Sequence, residues 1–181
     1  METYLNFYNN LDFMDFEEKL GKLKESNAYK EWNAQNPENF FSYALKIFEE
    51  KKEDPWQFGF YLKSKDKMAS FIVDGETIKR EQEEEVFKKP ETEVRPISLE
   101  NVKLGFKDIL ELANRFKKEK YPGETASKTI AILQNLETYG DIWNLTMITH
   151  SFNALNIKLS AESGRIVYYH IESLLNFRQS S

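Results

Sequence analysis

The sequence contains no cysteine. That excludes disulfides, thiolate nucleophiles, zinc ribbons and iron–sulfur clusters together, and it fits a reducing compartment. Glycine (7) and proline (5) are scarce among 181 residues, which excludes collagen-like and linker-dominated architectures. Apolar runs are short. Ile130-Ala131-Ile132-Leu133 falls far below the ~20 residues that span a bilayer. Positive charge is not in excess either: 25 Lys and Arg stand against 30 Asp and Glu, a net charge of −5. Nucleic-acid binders need a basic face to release counterions, and this balance lacks that footprint. The opening Met1-Glu2-Thr3-Tyr4-Leu5-Asn6 shows no basic region followed by an apolar stretch, unlike a secretory leader. A cytoplasmic protein with neither nucleic-acid nor membrane partners is therefore expected.

What is present suits a folded core. Hydrophobic residues make up 40% and aromatics 14%, including 14 Phe and 9 Tyr. The length fits one domain or two small ones. Phe13, Phe16, Leu20 and Leu23 recur at helical spacing and predict a helix over 11–33. Asn36-Pro37 supplies an N-cap and a first-turn proline, and Phe41, Ala44, Leu45 and Phe48 then make an apolar stripe. A second helix is expected there, closed by Asp54-Pro55.

The period then switches to two. Trp56, Phe58 and Phe60 mark one strand, 68–73 the next, and Asp74-Gly75 turns the chain into a third at 76–80. Residues 81–96, charged and carrying Pro90 and Pro96, read as a connector with Phe87 as a possible anchor. Phe106, Ile109, Leu110, Ala113 and Phe116 predict a helix over 103–120. Lys117, Lys118 and Lys120 in its last turn offset the helix dipole. Strands are expected at 127–135, 143–149, 155–159 and 165–171, with Leu174, Leu175 and Phe177 closing on the core.

The two halves look alike. Asp54-Pro55-Trp56-Gln57 matches Asp141-Ile142-Trp143-Asn144, and at the same offset Phe58 falls on Leu145 and Ile72 on Leu159. Two extra residues then bring Gly75 onto Gly164. The expected fold class is α+β: two helix-plus-antiparallel-meander halves beneath an additional N-terminal helix. The expected division is a helical segment 1–35, a first half 36–89, a connector 90–97 and a second half 98–181, able to form one compact domain. On this reading, strand 127–135 is an addition to the second half.

The helix Phe106-Lys107-Asp108-Ile109-Leu110-Glu111-Leu112-Ala113, the strand 127–135, Trp143-Asn144-Leu145-Thr146 and the stretch Leu155–Ile166 with its Ser163-Gly164 turn resemble the PepSY-type domain. The resemblance covers roughly residues 98–172, and 37–87 reads as a diverged copy. It implies tandem cystatin-like α+β units and a noncatalytic binding or inhibitory module. It supplies no catalytic residue and no cofactor.

Motifs for chemistry are sparse. His150 and His170 lie at no metal-ligand spacing, and a third ligand, Glu162 or Glu172, would have to converge on them. Ser151 beside His150 is a neighbour in sequence only. Asp141 and Glu162 can be drawn as an acid–base pair, as in any acidic chain. No cofactor, metal or catalytic residue is expected. The aromatics Trp56, Phe58, Trp143, Tyr168 and Tyr169 make a candidate binding surface, against the plainer reading of Trp and Phe as core. The leading function is a protein-interaction module that binds another protein or a second copy of itself. The alternative is a small-molecule or peptide binder with an aromatic pocket between the halves, and a hydrolase comes third.

Overall fold

The computed structural model describes residues 16–49, 52–86 and 92–175. The chain enters as helix α1 (16–25), breaks at Ser26 and continues as α2 (Asn27–Gln35). Ser26 caps α2, its hydroxyl accepting from the Tyr29 N–H at 3.2 Å. The single helix expected over 11–33 is thus two, and its first residues lie outside the described ones. Strands β1 (Asn39–Glu49), β2 (Lys52–Glu53), β3 (Trp56–Leu62), β4 (Lys67–Asp74), β5 (Thr77–Arg80) and β6 (Glu84–Glu85) follow. A short 3-10 turn, Leu99–Asn101, precedes helix α3 (Phe106–Lys120). Four strands finish the chain: β7 (Ala126–Leu136), β8 (Gly140–Thr149), β9 (Asn153–Ser160) and β10 (Ile166–Ser173).

All these strands form one antiparallel sheet of ten, in the order β10-β9-β8-β7-β1-β3-β4-β5, with β2 on β1 and β6 on β4. This overturns the expected architecture of two helix-plus-meander halves. The fold is dominated by a single sheet, and β1 pairs directly with β7 through its centre. The segment expected as a helix after Asn36-Pro37 is the central strand β1.

Its physical reason is a bulge. The register with β3 slips between Phe41 and Tyr43, so Phe41 and Ala44 face the same way although three residues apart. A bulge places two residues opposite one, and it turns a strand's period of two into an apparent helical spacing. Beyond it the alternation is plain: Ser42, Ala44 and Lys46 are buried, and Tyr43, Leu45 and Ile47 are half-buried. The strand at 127–135 is not peculiar to the second half of the chain, because β1 precedes and pairs with β3 as β7 precedes and pairs with β8.

One face of the sheet carries the helices and the core. Phe16 of α1 lies 5.4 Å from Trp56 and 6.4 Å from Trp143, centroid to centroid. Trp32 of α2 packs on Phe60 and Phe71 at 5.7 and 5.3 Å. Phe106 of α3 meets both Trp56 and Trp143, and Ile109 and Ala113 are fully buried behind it. The Trp143 indole N–H donates to the Leu104 carbonyl at 3.0 Å, fixing the entry to α3 on the sheet. Gly164, at φ +70, turns β9 toward β10 beneath the terminal methyls of Leu112 and Leu104, in a backbone conformation that favours glycine. Phe87 and Phe177 lie outside the described residues. Leu175 is 56% exposed rather than closed on the core.

Candidate functional site: the open face of the sheet

The opposite face of the sheet carries none of the three helices. Register defines what it presents. Lys79, Ile72, Gln57, Leu45, Ile132, Asn144, Lys158 and Tyr168 are successive cross-strand partners, a row running through eight strands. The adjacent row is Ile47, Ile130, Thr146, Asn156 and His170. The centre of the face is therefore aliphatic, built from Leu45 and Ile47 of β1 and Ile130 and Ile132 of β7, all half-buried. Strand spacing of ~4.8 Å and a rise of ~3.3 Å per residue give eight strands, six residues deep, a face on the order of 700 Å².

Each wing of the face is tied together by hydrogen bonds. On the β8–β10 wing, the Asn156 amide donates to Asn144 Oδ1 at 2.8 Å, Thr146 Oγ1 at 3.1 Å and the Leu145 carbonyl at 3.3 Å. Lys158 Nζ donates to Asn156 Oδ1 at 3.1 Å and sits 3.9 Å from the centroid of the Tyr168 ring. Burial pulls the Lys158 ammonium below the usual lysine range. Among the described residues no carboxylate stands within ion-pair distance of it. On the β3–β4 wing, the Tyr43 hydroxyl lies 2.7 Å from Ser70 Oγ and accepts from the Gln57 amide at 2.8 Å. Burial raises the Tyr43 phenol, and the bonds to Ser70 and Gln57 act against that rise. The Tyr43 ring lies over Gly59, where a Cβ would come 1.8 Å from it.

At one end of the face a groove of about 570 Å³ opens between Phe40, Tyr61 and the incoming segment Val94-Arg95-Pro96. Tyr61 donates to Asp66 at 2.5 Å there. Arg95 bridges to Asn135 of β7 and Ile97 N–H donates to the Phe41 carbonyl, so the connector enters between β1 and β7 where they splay.

The residues singled out from sequence divide sharply. Trp56, Phe58 and Trp143 are 2%, 0% and 0% exposed, on the helix-covered face. They are core, because period two sends all three toward α1 and α3, and they offer no surface to a ligand. Tyr168 and Tyr169 are 38% and 40% exposed on the edge strand β10 and point to opposite faces. Tyr169 packs on Phe116 at 5.0 Å and bonds Lys120, on the helix side. Of the five, only Tyr168 lies on the open face.

His150 sits in the turn after β8, and His170 lies on β10 opposite Asn156. Among the described residues no group of three His, Asp or Glu is placed to hold a metal. Asp141 is engaged by Asn101 and Asn135 as a clamp between segments, and Glu162 is exposed in the turn after β9. Leu45, Ile47, Ile130, Ile132 and Lys158 were not singled out from sequence. The signal was there in Ile130-Ala131-Ile132-Leu133, since a strand apolar at every position presents apolar side chains to both faces.

No family model matches the chain, and no curated protein matches it. A solved structure with a similar fold is that of a candidate lipoprotein from Clostridium difficile 630. It is 9% identical, with a TM-score of 0.52, over 81% of this chain and 91% of that one. Among the described residues no helix is long and apolar enough to cross a membrane.

Proposed function

We propose that the protein is a noncatalytic interaction module that docks a partner protein on the open face of its sheet. One observation carries this reading: the two central strands turn Leu45, Ile47, Ile130 and Ile132 to a face that bears no helix among the described residues. An antiparallel sheet commonly leaves one face to water, and that face is then polar. Here its centre is aliphatic. The face, on the order of 700 Å², approaches the ~800 Å² that each partner contributes to a standard interface. The alternative aromatic pocket loses its residues, since Trp56, Phe58 and Trp143 fill the core. The PepSY-type resemblance of residues 98–172 leads to the same class of function.

The test compares two baits, the native protein and Ile132→Lys, in affinity purification from the source cell. A partner retained by the native protein, lost with Ile132→Lys and rebinding in purified form supports the reading. Identical captures by both baits would overturn it.

A further inference from the structure

The chemistry of the open face specifies more than a greasy surface. Lys158 is held in place rather than free in solvent. Its ammonium lies over the Tyr168 ring and bonds Asn156, which is itself fixed by three acceptors on β8. Holding a lysine in one rotamer costs side-chain entropy that a freely solvated lysine keeps. A positive charge fixed against a ring and half-withdrawn from water, with no carboxylate beside it among the described residues, is electrostatically incomplete.

Its position is equally specific. In the cross-strand row, Asn144 alone separates Lys158 from Ile132, and Leu45 lies beyond. With strands ~4.8 Å apart, the Lys158 backbone stands about 10 Å from that of Ile132 along the row, and its ammonium lies over Tyr168 on the next strand out. The other cations of the face are answered locally. Lys79 bonds Glu81 at 2.7 Å, and Lys128 lies 3.9 Å from Glu49.

We infer that the partner presents an extended segment with alternating aliphatic side chains and an Asp or Glu flanking them by at least two strand spacings, the carboxylate meeting Lys158. This rests on the open face being a docking surface and adds the chemistry of what docks there. The aliphatic side chains cover Leu45, Ile47, Ile130 and Ile132. The carboxylate replaces the water on the exposed side of the ammonium. Asn144 and Thr146 line the path between the two, offering polar edges to the partner's backbone. Charged groups fix register and orientation in such contacts more than they add affinity.

A library of random 12-residue peptides displayed on phage, panned on the full chain, tests this directly. Peptides whose binding is lost with Ile132→Lys are the ones that report on the face. The expected result is that these are enriched in alternating aliphatic residues with one flanking Asp or Glu. Synthetic copies should bind Lys158→Met about tenfold more weakly, the loss of one partly exposed charged contact, and bind Lys158→Arg nearly as well as the native protein. Unchanged far-UV circular dichroism and melting temperature would show that Lys158→Met folds. Face-binding peptides that lack acidic residues and bind Lys158→Met as well as the native chain would overturn the inference and leave the docking surface standing. If no peptide depends on Ile132, the inference and the reading beneath it fall together.

Discussion

The two faces of this sheet are made by the same strands and share their hydrogen bonds, yet they carry opposite burdens. On the helix side, Trp56, Phe58, Trp143 and Phe71 interlock with Phe16, Trp32 and Phe106, and almost nothing there reaches water. On the open side, Leu45, Ile47, Ile130 and Ile132 are half-buried against one another and bordered by Asn144, Asn156, Lys158 and Gln57. Aromatic mass sits where packing fixes the fold. Smaller aliphatics bordered by hydrogen-bonded polar groups sit where packing is incomplete within the chain. On the reading proposed above, the first face serves stability and the second contact. Substitutions on one face should therefore leave the other property nearly untouched.

Truncation on the helix side should have the largest effect. Trp143→Ala removes a fully buried indole touching Phe16, Trp56 and Phe106, and leaves the Leu104 carbonyl without its donor. A loss of about 3–5 kcal/mol is expected in urea unfolding, from the cavity and the orphaned acceptor together. A loss below about 1 kcal/mol would mean that the helices do not anchor on this face. Gly59→Ala sharpens the comparison from the other side. Gly59 lies on the open face, but the Tyr43 ring occupies the space a Cβ needs, and the ring is tethered by Ser70 and Gln57. The methyl should cost about 1–3 kcal/mol by overpacking, and Tyr43→Ala in the same background should recover part of it. Independent losses in that double-mutant cycle would show that ring and glycine do not contact.

How much of this was legible in the sequence depends on how local the signal is. The strands around Trp143 and Ile157 alternate over several residues, those around Trp56 and Ile72 are apolar runs bounded by polar turns, and α3 shows an apolar stripe with lysines at its end; these elements lie where the pattern puts them. β1 was not legible, because the bulge at Phe41/Tyr43 imitates helical spacing and Asn36-Pro37 imitates a helix start. That one element changes the architecture: as a helix it would cover the sheet of its own half, and as a strand it joins β7 and makes one sheet. The pairing of β1 with β7 joins residues 79 to 91 apart in sequence, from Glu49↔Lys128 to Tyr43↔Gln134, and no local pattern records it. The site was hidden for a related reason. Tryptophan and phenylalanine attract notice in a sequence, but large aromatics are first of all core. A platform of Asn, Thr, Lys and Ile is visible only once register aligns residues from five strands.

The smallest expected effect is the most informative one. Ile132→Thr keeps a β-branched side chain on a central strand, so strand propensity is hardly changed. It removes apolar surface only from the half-buried open face, while Ala131 and Leu133 on either side stay in the core. The hydroxyl keeps access to water, so no buried polar group is stranded. Stability should fall by less than about 1 kcal/mol, within the range of surface substitutions and small core changes, with the far-UV spectrum unchanged. The matched change one residue on, Leu133→Thr, places a hydroxyl in the core and should cost several times more. Urea melts of the two variants side by side read the difference between the faces at adjacent positions of one strand. Equal losses would mean that the open face is packed as tightly as the core, and the division of labour between the two faces would then have no basis.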